Sequence, residues 1–122
     1  MKKIIFFMLA VLIFIACDTK SKTGSKTLEQ IALSDSTVIV DVRTPSEFAA
    51  GHIEKSINIP LDVIVEQVSQ LNGYQTIITV CRSGVRSGKA KTLLDSIGLK
   101  NVFNGGGWQA FDSKMQKAAG HN

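Results

Sequence analysis

Thr76-Ile77-Ile78-Thr79-Val80-Cys81-Arg82-Ser83-Gly84-Val85-Arg86-Ser87 decides how this chain is read. Thr76 to Val80 is an apolar, β-branched run bounded by Gly73 on one side, which predicts a buried strand. Beyond the loop, Lys89 to Ile97 carries apolar residues at 90, 93, 94 and 97, the spacing of a helix with one buried face. A strand, a tight loop and a helix in succession aim backbone N–H groups and the positive end of a helix at one point. A cysteine at that point is expected to have its pKa lowered by those N–H groups, by the dipole and by Arg82 and Arg86. The plainer alternative is that Cys81 is a small buried hydrophobe. Two arginines, serine and glycine in the next few positions argue against it, because burying such a loop strands charges and backbone groups.

The chain before this region divides in two. Met1-Lys2-Lys3 is basic and Ile4 to Ala16 is an uninterrupted apolar run, short for a membrane span and typical of a secretory leader. Phe14-Ile15-Ala16-Cys17 resembles a bacterial lipobox, which implies that residues 1–16 are removed and that Cys17 is lipidated and anchors the protein. Cleavage elsewhere and an uncleaved anchor are the alternatives. Residues 17–26 continue as a polar stretch with nothing to give a core and read as a flexible tether. The expected location is the bacterial cell envelope, on the periplasmic side of the inner or the outer membrane.

Residues 27–122 form the expected domain. Loss of the leader leaves 106 of 122 residues, one small domain, and takes Lys2 and Lys3 with it, so the formal charge falls from +4 to +2. No dense basic patch with interleaved aromatics is present, so nucleic acid is not an expected partner. With Cys17 lipidated, Cys81 has no intrachain partner, and an exported protein with one unpaired thiol needs a reason for it.

Strand and helix signals alternate. Thr27 to Gln30 fits a capping box opening a short helix to about Leu33, and Val38 to Val42 reads as a central strand. Thr44 can cap the next helix, with Pro45 at its first position, Glu47 reaching back and Gly51 stopping it. Ile57 to Ile59 reads as a short strand closed by Pro60, and Leu61, Ile64, Val65, Val68 and Leu71 share one helical face. Asn101 to Phe103 is a further strand; Gly105 to Gly107 leads into a last helix with Trp108, Phe111 and Met115 on one side. The expected fold is α/β: three layers, with a mostly parallel central sheet flanked by helices. In such sheets, sites form at the carboxyl ends of strands, where Cys81 falls. Trp108 is expected in the core, and His52 is expected as a structural hydrogen-bonder. No metal-ligand cluster and no nucleotide motif is evident, so no cofactor is expected.

Val38 to Phe48, Gly51-His52-Ile53, Asn58-Ile59-Pro60, Cys81 to Ser87 and Gly106-Gly107-Trp108, in this order, resemble the rhodanese homology domain in its single-domain form. The resemblance covers about residues 27–118. It implies a rhodanese-like sulfurtransferase in which the Cys81 thiolate takes the outer sulfur of a small anionic donor such as thiosulfate, forms a persulfide and passes the sulfur to a thiol or other thiophilic acceptor. The loop from Arg82 through Ser83, Gly84, Val85 and Arg86 to Ser87 is the expected substrate-binding segment, with N–H groups holding the terminal sulfur. Arg86 is expected to brace the loop or orient the donor, and Arg82 to attract it. Asp41 and Arg43 are expected to support the site from behind or to form a purely structural ion pair. The chain is expected to act as a monomer.

Two other readings use the same cysteine. A lipid-tethered sulfur carrier or persulfide-binding module would need no turnover. A cysteine-based phosphatase or arsenate reductase would need a Cys-x5-Arg loop, whereas this one runs Cys81-x4-Arg86 and suits a single sulfur better than a tetrahedral anion. If Cys17 is the lipid site, Cys17→Ala should release the protein from membranes or stall it unprocessed. Cell fractionation and the mass of the N-terminal peptide check this, and unchanged fractionation with an unmodified Cys17 in the native protein would contradict it.

Overall fold

Two capping boxes set the first two helices. The Gln30 N–H donates to Thr27 Oγ1 at 3.3 Å, and Gln30 Oε1 accepts from the Thr27 N–H at 2.9 Å, which starts helix α1 (Leu28–Ala32). Thr44 and Glu47 repeat the arrangement around Pro45 for helix α2 (Pro45–Ala50). The computed structural model describes residues 24–121. The leader at 1–16, Cys17 and the tether as far as residue 23 lie outside the described residues, while Gly24, Ser25 and Lys26 are exposed.

The strands are β1 (Thr37–Asp41), β2 (Ile57–Asn58), β3 (Thr76–Cys81) and β4 (Val102–Gly107), arranged β2-β1-β3-β4 and parallel at every pairing. Helix α3 (Val85–Ser96) follows β3, and α4 (Trp108–Ala118) follows β4. Strands buried on both faces read as continuous apolar runs, and period-two alternation divides them between two half-cores. Val38, Val40, Ile77 and Cys81 face α3, where they meet Ala90 and Leu94. Ile39, Ile78 and Val80 face the other way, against Phe111 and Met115 of α4, with α1 packed alongside. This is the three-layer α/β fold that the sequence implies, with a wholly parallel sheet.

Three local expectations need correction. Leu61 to Leu71 is not one helix but two short 3₁₀ turns, Leu61–Val63 and Val68–Leu71. Ile64 and Leu71 are buried while Val65 is 41% exposed, so one-sided burial here comes from an irregular segment lying over β1 and β3. Helix α3 begins at Val85 rather than Lys89, and only half of its expected apolar face is covered: Ala90 and Leu94 are buried, Leu93 and Ile97 are not.

The third correction is in β4, where Gly105 to Gly107 is strand rather than lead-in. Thr79 pairs with Asn104 and Val80 with Gly106, so Gly105 is the extra residue of a bulge. A Cβ on Gly105 would stand 2.9 Å from both Ile78 Cγ2 and Val80 Cγ1 and 3.2 Å from Thr79 O. Glycine is used here because β4 lies too close to β3 for a side chain. Gly105→Ala should therefore destabilise the fold by about 1–3 kcal/mol, read as a lower midpoint in chemical unfolding; an unchanged midpoint would show that β4 yields freely.

Candidate active site

Cys81 is the last residue of β3 and is 1% exposed. The chain must turn at once to enter α3, and Gly84 makes the turn in the left-handed region (φ 99°, ψ −8°) as the N-cap of the helix. This turn brings the Gly84 N–H to 3.0 Å from Cys81 Sγ, and the first turn of α3 brings Ser87 Oγ to 3.4 Å from it. Burial pushes the Cys81 thiol up. The Ser87 hydroxyl and the backbone N–H groups of Ser87, Gly84 and Ser83 more than offset that, so the thiol sits below its ordinary value.

The loop is fitted against β4. Cys81 pairs with Gly107, where a Cβ would come within 2.9 Å of Arg82 O, and a Cβ on Gly84 would come within 3.3 Å of Gly106 Cα. Asn104 ties the two together: its Nδ2 donates to Gly84 O at 3.1 Å, and its Oδ1 accepts from the Gly106 N–H at 2.9 Å and from Ser87 Oγ at 2.7 Å.

The two arginines of the loop differ in their surroundings. Arg86 places Nη1 at 2.8 Å from Glu47 Oε2 and Nη2 at 2.9 Å from Oε1, a two-pronged pair joining the start of α3 to the start of α2. Glu47 is the main reason the Arg86 guanidinium is held above its ordinary value; burial opposes this, and Cys81 adds a smaller attraction. Arg82 is exposed at the rim, as are Ser83 and Val85. The lowering at Cys81 thus rests on amide and hydroxyl hydrogens more than on guanidinium charge.

Asp41 and Arg43 form a buried fork at the end of β1: Arg43 Nη2 lies 2.6 Å from Asp41 Oδ2, and the Arg43 N–H and Nε also donate to the carboxylate. Arg43 Nη2 continues to Gly51 O at 2.7 Å, and its guanidinium carbon lies 4.8 Å from the centroid of the half-buried Trp108 ring. Among the described residues no hydrogen bond joins either side chain to Cys81–Ser87. The pair fixes the chain leaving β1 and does not reach the sulfur. His52 Nδ1 lies 2.7 Å from Phe48 O, with its ring stacked on Phe48 at 3.7 Å.

Two residues at this site have no functional assignment in the sequence reading. Glu47 is legible as a helix cap, but its partner lies 39 positions away. Asn104 has no local signal, since a polar residue ahead of a glycine run reads as a loop. Beside the loop lie a cavity of about 280 Å³ lined by Val42, Thr44, Pro60, Leu61, Asp62 and Arg86, and a groove of about 540 Å³ between Leu61 and Val85, Lys89 and Leu93. Among the described residues no group of three or more His, Cys, Asp or Glu stands close enough to hold a metal.

Residues 25–114 match the family described as Rhodanese-like domain. The thiosulfate sulfurtransferase PspE of Escherichia coli (strain K12) is 34% identical over 83 residues, 66% of this chain and 78% of its own length. A sulfurtransferase of Allochromatium vinosum is 33% identical over 85 residues, 69% of this chain and 79% of its own. Among solved structures, a rhodanese with anions from E. coli superposes with a TM-score of 0.57 at 32% identity, over 60% of this chain and 88% of that one.

The Glu47–Arg86 pair gives a pH test. Arg86, then the Thr44 N–H, hold the Glu47 carboxyl far below the usual carboxylate range. A carboxylate lowered by folding stabilises above its unfolded pKa, and that contribution is lost as pH falls through the folded value. Wild-type protein should therefore melt higher than Glu47→Gln above about pH 5, with the gap closing as acid is added below the ordinary carboxylate pKa near 4.3. Thermal melts across this range check it; a gap independent of pH would mean that the charge pair contributes nothing.

Proposed function

The chain belongs to the rhodanese-like domain family, and we propose that it is a sulfurtransferase that carries sulfane sulfur from a small anionic donor such as thiosulfate to a thiol or other thiophilic acceptor on Cys81. The observation that carries this is the buried Cys81 sulfur with the Gly84 N–H 3.0 Å away. The loop around it holds the thiol below its ordinary value before any substrate arrives.

In the proposed first half-reaction, the Cys81 thiolate attacks the outer sulfur of thiosulfate. The Sγ–S bond forms, the bond to the sulfonate breaks, and sulfite leaves with the electron pair. The negative charge then rests on the outer sulfur, inside the curve of the loop, where N–H groups stand ready to receive it. In the second half-reaction the acceptor attacks that outer sulfur, takes it away, and returns the electron pair to Sγ as thiolate. Neither step calls for a cofactor or a metal.

Arg82 is the exposed cation of the loop and is assigned the attraction of the donor. Arg86 is assigned bracing: with its fork engaged on Glu47, it holds the first turn of α3 in register with the loop. Asp41 and Arg43 are assigned to scaffolding. We also propose that lipidated Cys17 and the following tether hold this domain at a bacterial envelope membrane, within reach of an acceptor there.

The phosphatase reading is disfavoured by its own requirement. In it, the arginine that closes the loop must turn inward to meet a tetrahedral anion, and Arg86 is instead spent on Glu47. A sulfur carrier would show the same loading without turnover.

Treatment with thiosulfate should raise the intact mass by one sulfur atom and release sulfite, and cyanide should then give thiocyanate over many cycles. Cys81→Ser should abolish both the mass change and the turnover, because its hydroxyl does not ionise in this range. A Cys81→Ser variant that still turned over would overturn the assignment; loading followed by a single transfer and no cycling would favour the carrier.

A further inference from the structure

Ser87 is fully buried, and its hydroxyl has one hydrogen for two acceptors: Asn104 Oδ1 at 2.7 Å and Cys81 Sγ at 3.4 Å. The orientation of the Asn104 amide is set by its other partners. Nδ2 meets the carbonyl of Gly84, and Oδ1 meets the N–H of Gly106, so the atom facing Ser87 is an oxygen and only accepts. Ser87 therefore donates to Asn104 and turns its lone pairs toward the sulfur, an arrangement that suits a thiol whose S–H points at Ser87 Oγ. It does not suit a thiolate, which needs that same hydrogen.

We propose that Ser87 is a two-position hydroxyl switch and that Asn104 is the positioning residue competing with Cys81 for its hydrogen. This rests on the reading of Cys81 as the attacking sulfur. As the thiol loses its proton to solvent, the Ser87 hydroxyl rotates, without ionising, from Asn104 Oδ1 to Sγ. Asn104 gives it up readily: its side chain is exposed, so water takes the vacated place while the Gly106 N–H stays. When attack on a donor places the negative charge on the outer sulfur, Sγ becomes a poor acceptor and the hydroxyl returns to Asn104. The switch thus supplies a hydrogen bond to the free thiolate and withdraws it once the sulfur is loaded.

The groups facing Sγ within bonding distance are Ser87 Oγ and the Gly84 N–H. Of the charged groups around the loop, Arg86 and Glu47 are paired to each other, and Arg82 is exposed at the rim.

The test is the midpoint of the pH dependence of iodoacetamide attachment to Cys81, quantified on the Cys81 peptide of the full chain. Ser87→Ala should raise the midpoint by about one pH unit, the size of one hydrogen bond to a charged sulfur. Asn104→Ala should move it the other way, downward, because the hydroxyl is then free to serve the sulfur throughout. Asn104→Asp adds a charge as well as a stronger acceptor, so it should raise the midpoint more with Ser87 present than in a Ser87→Ala background, and that difference carries the test if Asn104→Ala fails to fold. In a Ser87→Ala background, Asn104→Ala should have no effect on the midpoint.

A rise in Asn104→Ala, no change in it, or a shift in either Asn104 variant that is undiminished without Ser87 would overturn the proposal, since each means that Asn104 does not act through Ser87. The readout involves no sulfur transfer. Midpoints that move as stated in a protein that thiosulfate does not load would refute the functional reading and leave the switch standing.

Discussion

The hydrogen bond from the Gly84 N–H to Cys81 Sγ is the constraint around which this domain is arranged. A sulfur that is 1% exposed loses its water, which favours the neutral thiol. A chain folded back on the sulfur, with the Ser87 hydroxyl and the Gly84 N–H beside it, offsets that preference. Folding back this sharply requires a left-handed residue at position 84, and glycine supplies it. It also requires β4 to lie very close to the loop, which Gly107 permits because a Cβ there would press on Arg82 O, just as a Cβ on Gly84 would press on Gly106 Cα. The glycine run in β4 and the glycine in the loop are therefore two halves of one requirement, met across the sheet.

The charged residues serve this arrangement from outside it. Glu47 caps α2 and pairs with Arg86, so the same carboxylate that starts one helix positions the start of the other. Exposed ion pairs contribute little to stability on their own; the value of this one lies in register, because α3 begins where the loop ends. The Asp41–Arg43 fork works at the neighbouring strand end and is buried, with Arg43 Nε and Nη2 satisfied by carboxylate and backbone. Asn104 completes the set by joining β4 to Gly84, Gly106 and Ser87 through one amide.

Features carried by local chemistry were legible in the sequence. The capping boxes at Thr27 and Thr44, the strand ending at Cys81 and the alternation of elements needed only neighbouring residues to be recognised. The segment from Leu61 to Leu71 misled because helical spacing of apolar residues records which side is buried and not which hydrogen bonds are made; β-branched residues and a preceding proline favour short turns there. The glycine strand misled for the opposite reason: glycine has poor strand propensity, and its place in β4 is dictated by what lies opposite. At the site, Cys81 and its loop were evident, whereas the pairing of Arg86 with Glu47 and the contacts of Asn104 arise only when distant segments meet.

Stabilisation of an anionic sulfur by backbone N–H groups is the central claim, and the reactivity of Cys81 in the unmodified protein measures it most directly. The rate of iodoacetamide attachment, followed on the Cys81 peptide from acid to alkaline pH so that Cys17 makes no contribution, should rise with a midpoint below that of an ordinary free thiol, about 8.5. A midpoint at or above that of a free thiol would show that burial outweighs the loop, and would contradict the account.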